Sequence, residues 1–323
     1  MTNRLTNGDG KPQAETPIAA DFSRYKVCDS YSVPVTDSLA AGGSPDSAAE
    51  PSRRISKRQL MELDVSLGER DKEILHSIQR HRYLMTGQVQ RLIFTDAASP
   101  SAALRAASRS LKKLKSLGLV GSLSRRIGGV RAGSGSLIWH ITHAGERLLR
   151  LHGCKPYASK RFFKPSPYFL AHTLAVAETS IRIMEICKTA KLELPALQPE
   201  PECWRSYSER GRQVSLKPDL YAAVTSPEYE DRYFLEIDLD TESPAKVIEK
   251  CQKYHAYYRS GLEQKEHGMF PLTVWIVPSA KRKEHLTAHI RPAFSGHPRL
   301  FIVITDDELE HLILEGGDRD ALC

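Results

Sequence analysis

Apolar residues recur at helical spacing through much of the first half of the chain. Positions three or four residues apart share one face of a helix, so this period predicts amphipathic helices. The predicted helices cover residues 70–78, 88–94 and 99–117. Ser99 and Pro100 are start signals for the last of them, and Gly118 ends it. Two short apolar runs, 119–120 and 137–141, then predict two strands.

The second half combines helical periods with short continuous apolar runs, which are typical of buried strands. A helix is predicted from Tyr168 to about Lys191, and two apolar runs around a polar turn predict a hairpin. The remaining elements are a helix after Ser243 and Pro244, strands 272–277 and 300–304, and a helix from Lys281 to Ala288. This order predicts a mixed sheet covered by helices, so the fold class is α/β, or α+β for the chain as a whole.

Positive charge is concentrated in one segment. Residues 53–165 hold 23 basic and 7 acidic side chains, whereas the segments before and after it carry net charges of −3 and −6. The net charge of the whole chain is only +7. A local excess of this size is the electrostatic footprint of a nucleic-acid-binding domain.

Three helices followed by a basic, Gly-rich hairpin resemble a winged-helix domain. In that family the third helix enters the major groove of DNA and the hairpin follows the backbone. The resemblance implies a set of basic residues that contact double-stranded DNA. These are Arg105, Arg109, Lys112 and Lys113 on the helix, and Arg125, Arg126 and Arg131 on the hairpin. The alternative is a set of surface charges on a helical hairpin, but helix and hairpin are basic together, which favours DNA.

Three carboxylates can meet at one end of the hairpin predicted in the second half. Asp219 opens the first strand, Glu236 and Asp238 lie two residues apart on the second, and Asp240 continues that period. Alternate residues of a strand share a face, so strand pairing brings Asp219 towards Glu236 and Asp238. Crowded carboxylates need a compensating cation, and hard oxygen ligands suit Mg²⁺. Asp219, Glu236 and Asp238 are therefore candidate ligands for Mg²⁺.

The same residues resemble the PD-(D/E)xK nuclease core. In that core an Asp and a Glu hold the metal, and a lysine two residues after the Glu assists the attacking water. Asp219 and Glu236 match the acidic pair, but this chain has Asp238 where the lysine is expected. Lys250 or Lys253, on the following helix, could take the place of that lysine in space. Otherwise the carboxylates form an acidic strand face neutralised by those lysines, and the chemistry is lost.

A longer stretch resembles the replication-relaxation family found on plasmids and other mobile elements. The resemblance rests on Pro218-Asp219, then the run Phe-Leu-Glu-Ile-Asp-Leu-Asp-Thr-Glu-Ser that starts at Phe234, then Lys250-x-x-Lys253-Tyr254. It covers roughly residues 60 to 315 and implies DNA, with replication or transfer proteins, as partners. It also makes Glu178, on the long helix, a candidate acid for the site; the alternative is a surface glutamate.

These resemblances give the expected domain organisation. Residues 1–55, rich in Ser, Ala, Pro and Gly, are expected to be a disordered tail. A winged-helix DNA-binding domain and a PD-(D/E)xK-like, restriction-endonuclease-like mixed-sheet domain follow, joined by a Pro-rich linker and ended by a short tail. The boundaries are 56–155 for the first domain, 156–167 for the linker, 168–315 for the second domain and 316–323 for the tail.

Apolar runs and cysteines in the sequence indicate where in the cell the protein is expected to be. The chain has no run of 18 apolar residues and no N-terminal signal core, which predicts neither a membrane span nor export. Its six cysteines include no C-x-x-C pair, which argues against structural zinc and a disulfide framework. A reducing cytoplasm is the expected location.

Three functions agree with these observations. The first is a non-enzymatic DNA-binding protein of a plasmid or mobile element, acting in replication, transfer or their control, with an inactive nuclease-like domain. The second is a Mg²⁺-dependent DNA endonuclease with a displaced catalytic lysine. The third is a winged-helix transcriptional regulator whose second domain serves dimerisation. The aspartate at position 238 favours the first, and the retained acidic pair and lysine helix keep the second open.

Overall fold

The computed structural model describes residues 55–127, 136–153, 165–209 and 211–316. Of residues 124–127 and 136 only the backbone is described. The expected N-terminal tail, most of the expected linker and the last residues of the chain lie outside these ranges. So does the Gly-rich connection of the first hairpin, which contains Arg131.

Helices and a small antiparallel sheet make up the N-terminal unit, residues 55–151. Its elements are α1 Lys57–Ser66, α2 Glu69–His81, β1 Leu84–Met85, α3 Thr86–Ile93, α4 Pro100–Ser116, β2 Val120–Ile127, β3 Ser136–Ile141 and α5 His143–Leu151. The three predicted helices correspond to α2, α3 and α4, and the strand order is β1-β3-β2. Helix α1 was not predicted, although Ser56 and Gln59 form a capping box that marks its start.

Helix α4 forms where its start signals predict. The Ser99 hydroxyl accepts a hydrogen bond from the Ala102 amide at 3.2 Å, and Pro100 occupies the first turn. Apolar residues at helical spacing fill the core beneath it: Ala103, Ala107, Leu111 and Leu114. Burying this face leaves the basic face of α4 towards solvent.

The C-terminal unit, residues 167–315, is built on a five-stranded mixed sheet. Its elements are α6 Pro167–Ala190, β4 Glu193–Pro199, β5 Arg205–Glu209, β6 Arg212–Leu216, β7 Leu220–Thr225, β8 Glu230–Ile237, α7 Pro244–Ser260, α8 Leu262–His267, β9 Leu272–Val277, α9 Ala280–Ala293, β10 Phe301–Thr305 and α10 Leu309–Glu315. The mixed sheet confirms the α/β class, with α+β organisation over the whole chain.

The sheet of the C-terminal unit has helices packed on both of its faces. The order is β10-β9-β8-β7-β4, with β8, β9 and β10 parallel and with β7 antiparallel to both of its neighbours. Helices α6 and α10 cover one face of the sheet. Helices α7 and α9 cover the other face together with the β5-β6 hairpin. Strand β9 is buried along its whole length because both faces are covered.

The two units meet through contacts made by α6. Gln88 donates hydrogen bonds to the Glu178 carboxylate and to the Leu174 carbonyl, each at 3.1 Å. Arg91 pairs with Glu178 and also donates to Glu185, at 2.8 Å from its Nε. A small apolar cluster lies beside these polar contacts, formed by Ile138 of β3 and by Leu170 and Leu174 of α6. Helix α6 therefore contributes to the packing of both units.

No helix within the described ranges is both long enough and apolar enough to cross a membrane.

Replacing Arg91 by Ala should destabilise the protein. Glu178 is 5 % exposed, and the change removes the arginine that compensates its charge. Removal of one partner from a buried ion pair costs about 3 kcal/mol or more. Urea unfolding monitored by circular dichroism measures the loss.

Arg58→Ala is the matched control, because Arg58 forms an i,i+4 pair with Glu62 in which both side chains are well exposed. It should cost less than about 1 kcal/mol. Equal losses for Arg91→Ala and Arg58→Ala would show that the Arg91 pair adds no more to stability than an exposed ion pair does.

Candidate functional site

Asp219 and Glu236 come together at the open end of the β7-β8 hairpin. Leu220 pairs with Leu235, so the residues just beyond this pair lie opposite each other. Asp219 Oδ2 accepts a hydrogen bond from the Ile237 amide at 2.9 Å. Both carboxylates are buried. The expected approach of Asp219 to Glu236 is thus present in the structure.

Helix α6 supplies a histidine to this pair. His172 Nε2 lies 3.2 Å from Asp219 Oδ2. Burial alone would lower the pKa of His172, but the neighbouring Asp219 and Glu236 charges outweigh it and raise the pKa to about 9. His172 is therefore a cation at neutral pH and compensates the charge of Asp219.

Helix α7 supplies a lysine and a tyrosine to Glu236. Lys250 Nζ lies 3.3 Å from Glu236 Oε2, and the Tyr254 hydroxyl donates to Glu236 Oε1 at 2.6 Å. Lys250 and Tyr254 are four residues apart, so they share one face of the helix. The Lys250 ammonium also lies 5.4 Å from the centre of the Trp275 ring and 3.3 Å from Glu242 Oε1.

Asp238 belongs to a different ion pair. Its Oδ2 accepts a hydrogen bond from Arg282 Nε of α9 at 2.6 Å, and its Oδ1 accepts one from the Asp240 amide at 2.9 Å. Strand β8 ends at Ile237, and Asp240 has a φ of 61°. The expected period of two therefore does not extend as a strand to Asp240, because the chain turns immediately after Asp238.

The two candidate lysines have different surroundings. Lys253 pairs with Glu249 at 2.8 Å on the exposed face of α7, whereas Lys250 reaches Glu236. Of the two, only Lys250 contacts the carboxylate pair. Lys253 directly precedes Tyr254, and successive residues of a helix point in directions about 100° apart, so Lys253 is turned away from the Glu236 carboxylate that Tyr254 reaches.

Burial and mutual repulsion shape the protonation of the carboxylate pair. Burial and the Asp219 charge raise the pKa of Glu236 to about 8, against the opposing effects of Lys250 and Tyr254. Burial also acts to raise the pKa of Asp219, but the His172 charge and hydrogen bond outweigh it and lower that pKa. The two pKa values are therefore shifted in opposite directions, and Asp219 is the more acidic member of the pair.

As arranged, these side chains do not fit a magnesium site. Both oxygens of Glu236 already have partners, Tyr254 and Lys250, and Asp219 Oδ2 is engaged by His172. Across the residues described, no group of three or more His, Cys, Asp or Glu side chains could hold a metal ion. A magnesium ion prefers free carboxylate oxygens, so Lys250 or Tyr254 would have to release Glu236 first.

The predicted DNA-contacting residues of α4 lie on its exposed face. They are Arg105, Arg109, Lys112 and Lys113. Lys113 Nζ also pairs with Asp71 Oδ2 at 2.5 Å. Arg125 and Arg126 lie on β2 where only the backbone is described, and Arg131 lies outside the described residues.

Glu178 fits neither of the roles considered for it. It is buried rather than on the surface, and its partners are Gln88 and Arg91 of the N-terminal unit. Helix α6, which carries Glu178, does contact the carboxylate pair. The residue that makes this contact is His172, not an acidic residue.

Sequence reasoning missed His172 and Arg282 as partners of the carboxylates. Both belong to elements far along the chain from β8, and no local spacing connects them to it. Tyr254 could have been found, because its position four residues after Lys250 gives the pairing that the helical period favours.

The unfolding free energy should fall as pH rises from about 6.5 to about 8. In this range folded His172 and Glu236 keep protons, with pKa values of about 9 and about 8, whereas the unfolded chain loses them near pH 6.5 and 4.5. The folded state then binds more protons, so stability decreases with pH, by about 1.4 kcal/mol per pH unit for each proton. Urea unfolding in EDTA-containing buffers measures this slope.

His172→Gln should make the slope shallower, because one of the two retained protons is removed. His289→Gln, on the exposed face of α9, is the control and should leave the slope unchanged. An unaltered slope in His172→Gln would contradict the charge assignment of the site.

The family model described as replication-relaxation matches residues 75–273, which is more than half of the chain. No curated protein and no solved structure matches. The match extends from α2 to the start of β9, so it includes the basic helix, the carboxylate pair and Lys250. The chain belongs to the replication-relaxation family, which links it to the replication of mobile elements.

Proposed function

We propose that this protein binds double-stranded DNA of a plasmid or other mobile element and acts in its replication or transfer, or in their control. The N-terminal unit is a winged-helix domain in this proposal, with α4 as the helix that enters the major groove. The C-terminal unit has a PD-(D/E)xK-like sheet whose carboxylates are compensated by the protein's own side chains. Double-stranded DNA and replication or transfer proteins are the partners, and the cytoplasm is the location.

The exposed basic face of α4 carries the DNA-binding part of the proposal. Arg105, Arg109 and Lys112 are exposed, and within the described part of the chain none of them forms an ion pair. Lys113 lies beside them but is partly neutralised by Asp71. Uncompensated basic residues along one exposed helix face can neutralise phosphates and release counterions. Helix α4 also precedes a β-hairpin, in the order expected for a winged helix.

The protein side chains that pair with Asp219 and Glu236 support the proposal that this site does not cleave DNA. His172 contacts Asp219 Oδ2, and Lys250 and Tyr254 contact the two oxygens of Glu236. The position of the nuclease lysine is held by Asp238, which Arg282 neutralises. Each acidic group thus has a protein partner, which can take the place of the cation that crowded carboxylates otherwise need.

A Mg²⁺-dependent endonuclease is the second candidate, and one observation favours it. The ammonium group of Lys250 lies 3.3 Å from Glu236 although it comes from a helix and not from the strand. A lysine in that place could assist an attacking water as the strand lysine does in related nucleases. Asp219 and Glu236 would then be the magnesium ligands, and Lys250 would be the catalytic lysine.

Replacing both Arg109 and Lys112 by Ala should weaken duplex binding. Two lost phosphate contacts should lower the slope of log K against log salt by about two units. Fluorescence anisotropy of a labelled duplex at several salt concentrations measures the slope. Lys253→Ala, which removes one exposed charge from the C-terminal unit, should leave it unchanged. An unchanged slope in the double variant would exclude this face of α4 from DNA binding.

Purified protein should leave supercoiled, linear and single-stranded DNA uncut in Mg²⁺ or Mn²⁺. The reason is that both oxygens of Glu236 are engaged by protein side chains. Gel electrophoresis of wild type, Glu236→Ala and an EDTA control gives the result. Cleavage by wild type that is lost in EDTA, in Glu236→Ala and in Lys250→Ala but kept in Lys253→Ala would instead establish the endonuclease.

A further inference from the structure

Two exposed aromatic side chains are linked to the carboxylate pair by short series of contacts. Among the described residues, four aromatic side chains are at least 36 % exposed: Tyr168, Phe169, Trp204 and Tyr229. Tyr168 is linked to Asp219 through His172, and Trp204 follows Cys203, whose thiol contacts the Pro218 carbonyl, whereas Tyr229 lies in the turn at the other end of the β7-β8 hairpin. Exposed aromatic surface linked to a candidate site is a candidate binding surface.

Trp204 is joined to the site by its neighbours in the chain. The Cys203 thiol donates to the Pro218 carbonyl at 2.9 Å, which fixes Trp204 next to the Pro218-Asp219 element. The ammonium of Lys217 lies 4.5 Å from the centre of the Trp204 ring. Lys217 is itself exposed, so a cation and a flat aromatic surface are offered together.

Tyr168 is linked to the same carboxylate through His172. Its ring centre is 6.3 Å from that of His172, whose Nε2 contacts Asp219. Tyr168 is 47 % exposed and lies in the first turn of α6. His172 therefore lies between Tyr168 and Asp219. On the Trp204 side, the neighbouring Cys203 contacts Pro218, which directly precedes Asp219.

The acidic residues near these rings are already paired. Glu200 lies 3.1 Å from Arg82, and Glu202 lies 3.0 Å from Arg80, both arginines belonging to the N-terminal unit. Their charges are therefore offset, and the lysine beside Trp204 remains to attract an anion. A nucleic-acid backbone fits this arrangement, since it brings phosphates and stackable bases together.

We propose that Tyr168, Trp204 and Lys217, named here the aromatic rim, bind the unpaired bases and backbone of single-stranded DNA. Bases in a duplex are stacked on each other, and their faces are hidden from side chains. Unpaired bases can stack on exposed rings, and this contact is tolerant of sequence because every base has a flat face. The proposal rests on the proposed function in that it adds a second, strand-specific site to a DNA-binding protein.

Tryptophan fluorescence tests the rim directly. The chain has three tryptophans, and Trp139 and Trp275 are only 2 % and 1 % exposed, so Trp204 is the one that a ligand can reach. Titration of the full chain with a 20-nucleotide oligothymidylate, which forms no duplex, should quench its emission. In Trp204→Ala the quenching should disappear, and anisotropy of the labelled oligonucleotide should show about five- to hundredfold weaker binding.

Matched variants separate stacking from folding. Trp204→Phe keeps a ring and should retain most of the affinity, and Lys217→Ala should weaken binding and reduce its salt dependence. Tyr229→Ala removes a still more exposed ring at the far end of the hairpin and should bind like wild type. Urea midpoints equal to that of wild type show that the variants fold. Unchanged oligothymidylate affinity in folded Trp204→Ala would overturn the proposal, as would equal quenching by a 20-base-pair duplex.

The experiments test single-strand binding by the aromatic rim and duplex binding by α4 independently. The Arg109→Ala, Lys112→Ala double variant should lose duplex affinity while the Trp204 quenching by oligothymidylate persists. If duplex binding is absent in wild type but the quenching occurs, the proposed function fails and the rim stands. If duplex binding depends on α4 and no oligothymidylate quenching occurs, the rim fails and the proposed function stands.

Discussion

Burial of two adjacent carboxylates is the constraint on which the C-terminal unit depends. Asp219 and Glu236 are brought together by the pairing of β7 and β8, away from water. Two such charges repel each other and lose hydration, a cost of several kcal/mol per uncompensated ion. This cost is offset by groups from separate elements. They are a histidine from α6, a lysine and a tyrosine from α7, and a backbone amide of β8. The site therefore ties both helical layers to the sheet.

This compensation distinguishes the site from a nuclease centre of the kind that its acidic residues resemble. A metal-dependent centre leaves carboxylate oxygens open to a cation. Here the side chains of His172, Lys250 and Tyr254 contact those oxygens instead. Asp238, where the nuclease lysine would stand, is neutralised by Arg282 of α9. The aspartate that stands in place of the nuclease lysine is therefore paired with an arginine from a separate helix.

Sequence reasoning succeeded where a local period or a cap determined the result. The Ser99-Pro100 start of α4, the long helix α6 and the approach of Asp219 to Glu236 all follow from spacing within short segments. It failed where the partner is distant: nothing near His172 or Arg282 in the sequence indicates a carboxylate neighbour. The strand β4 was missed for a related reason, because an edge strand with mixed exposure lacks the continuous apolar run of β9.

Helix α6 begins beyond the sequence boundary between the expected domains, yet its first turns pack against both units. Leu170 and Leu174 cover Ile138 of β3, and Glu178 receives Gln88 and Arg91. A fragment that ends at residue 155 would therefore expose an apolar patch and leave Arg91 without its carboxylate partners. A fragment extended to the end of α6 would keep these contacts but carry the opposite, sheet-facing side of the helix into solvent. Neither fragment keeps all its packing partners, so the two units are expected to reach full stability only within one chain.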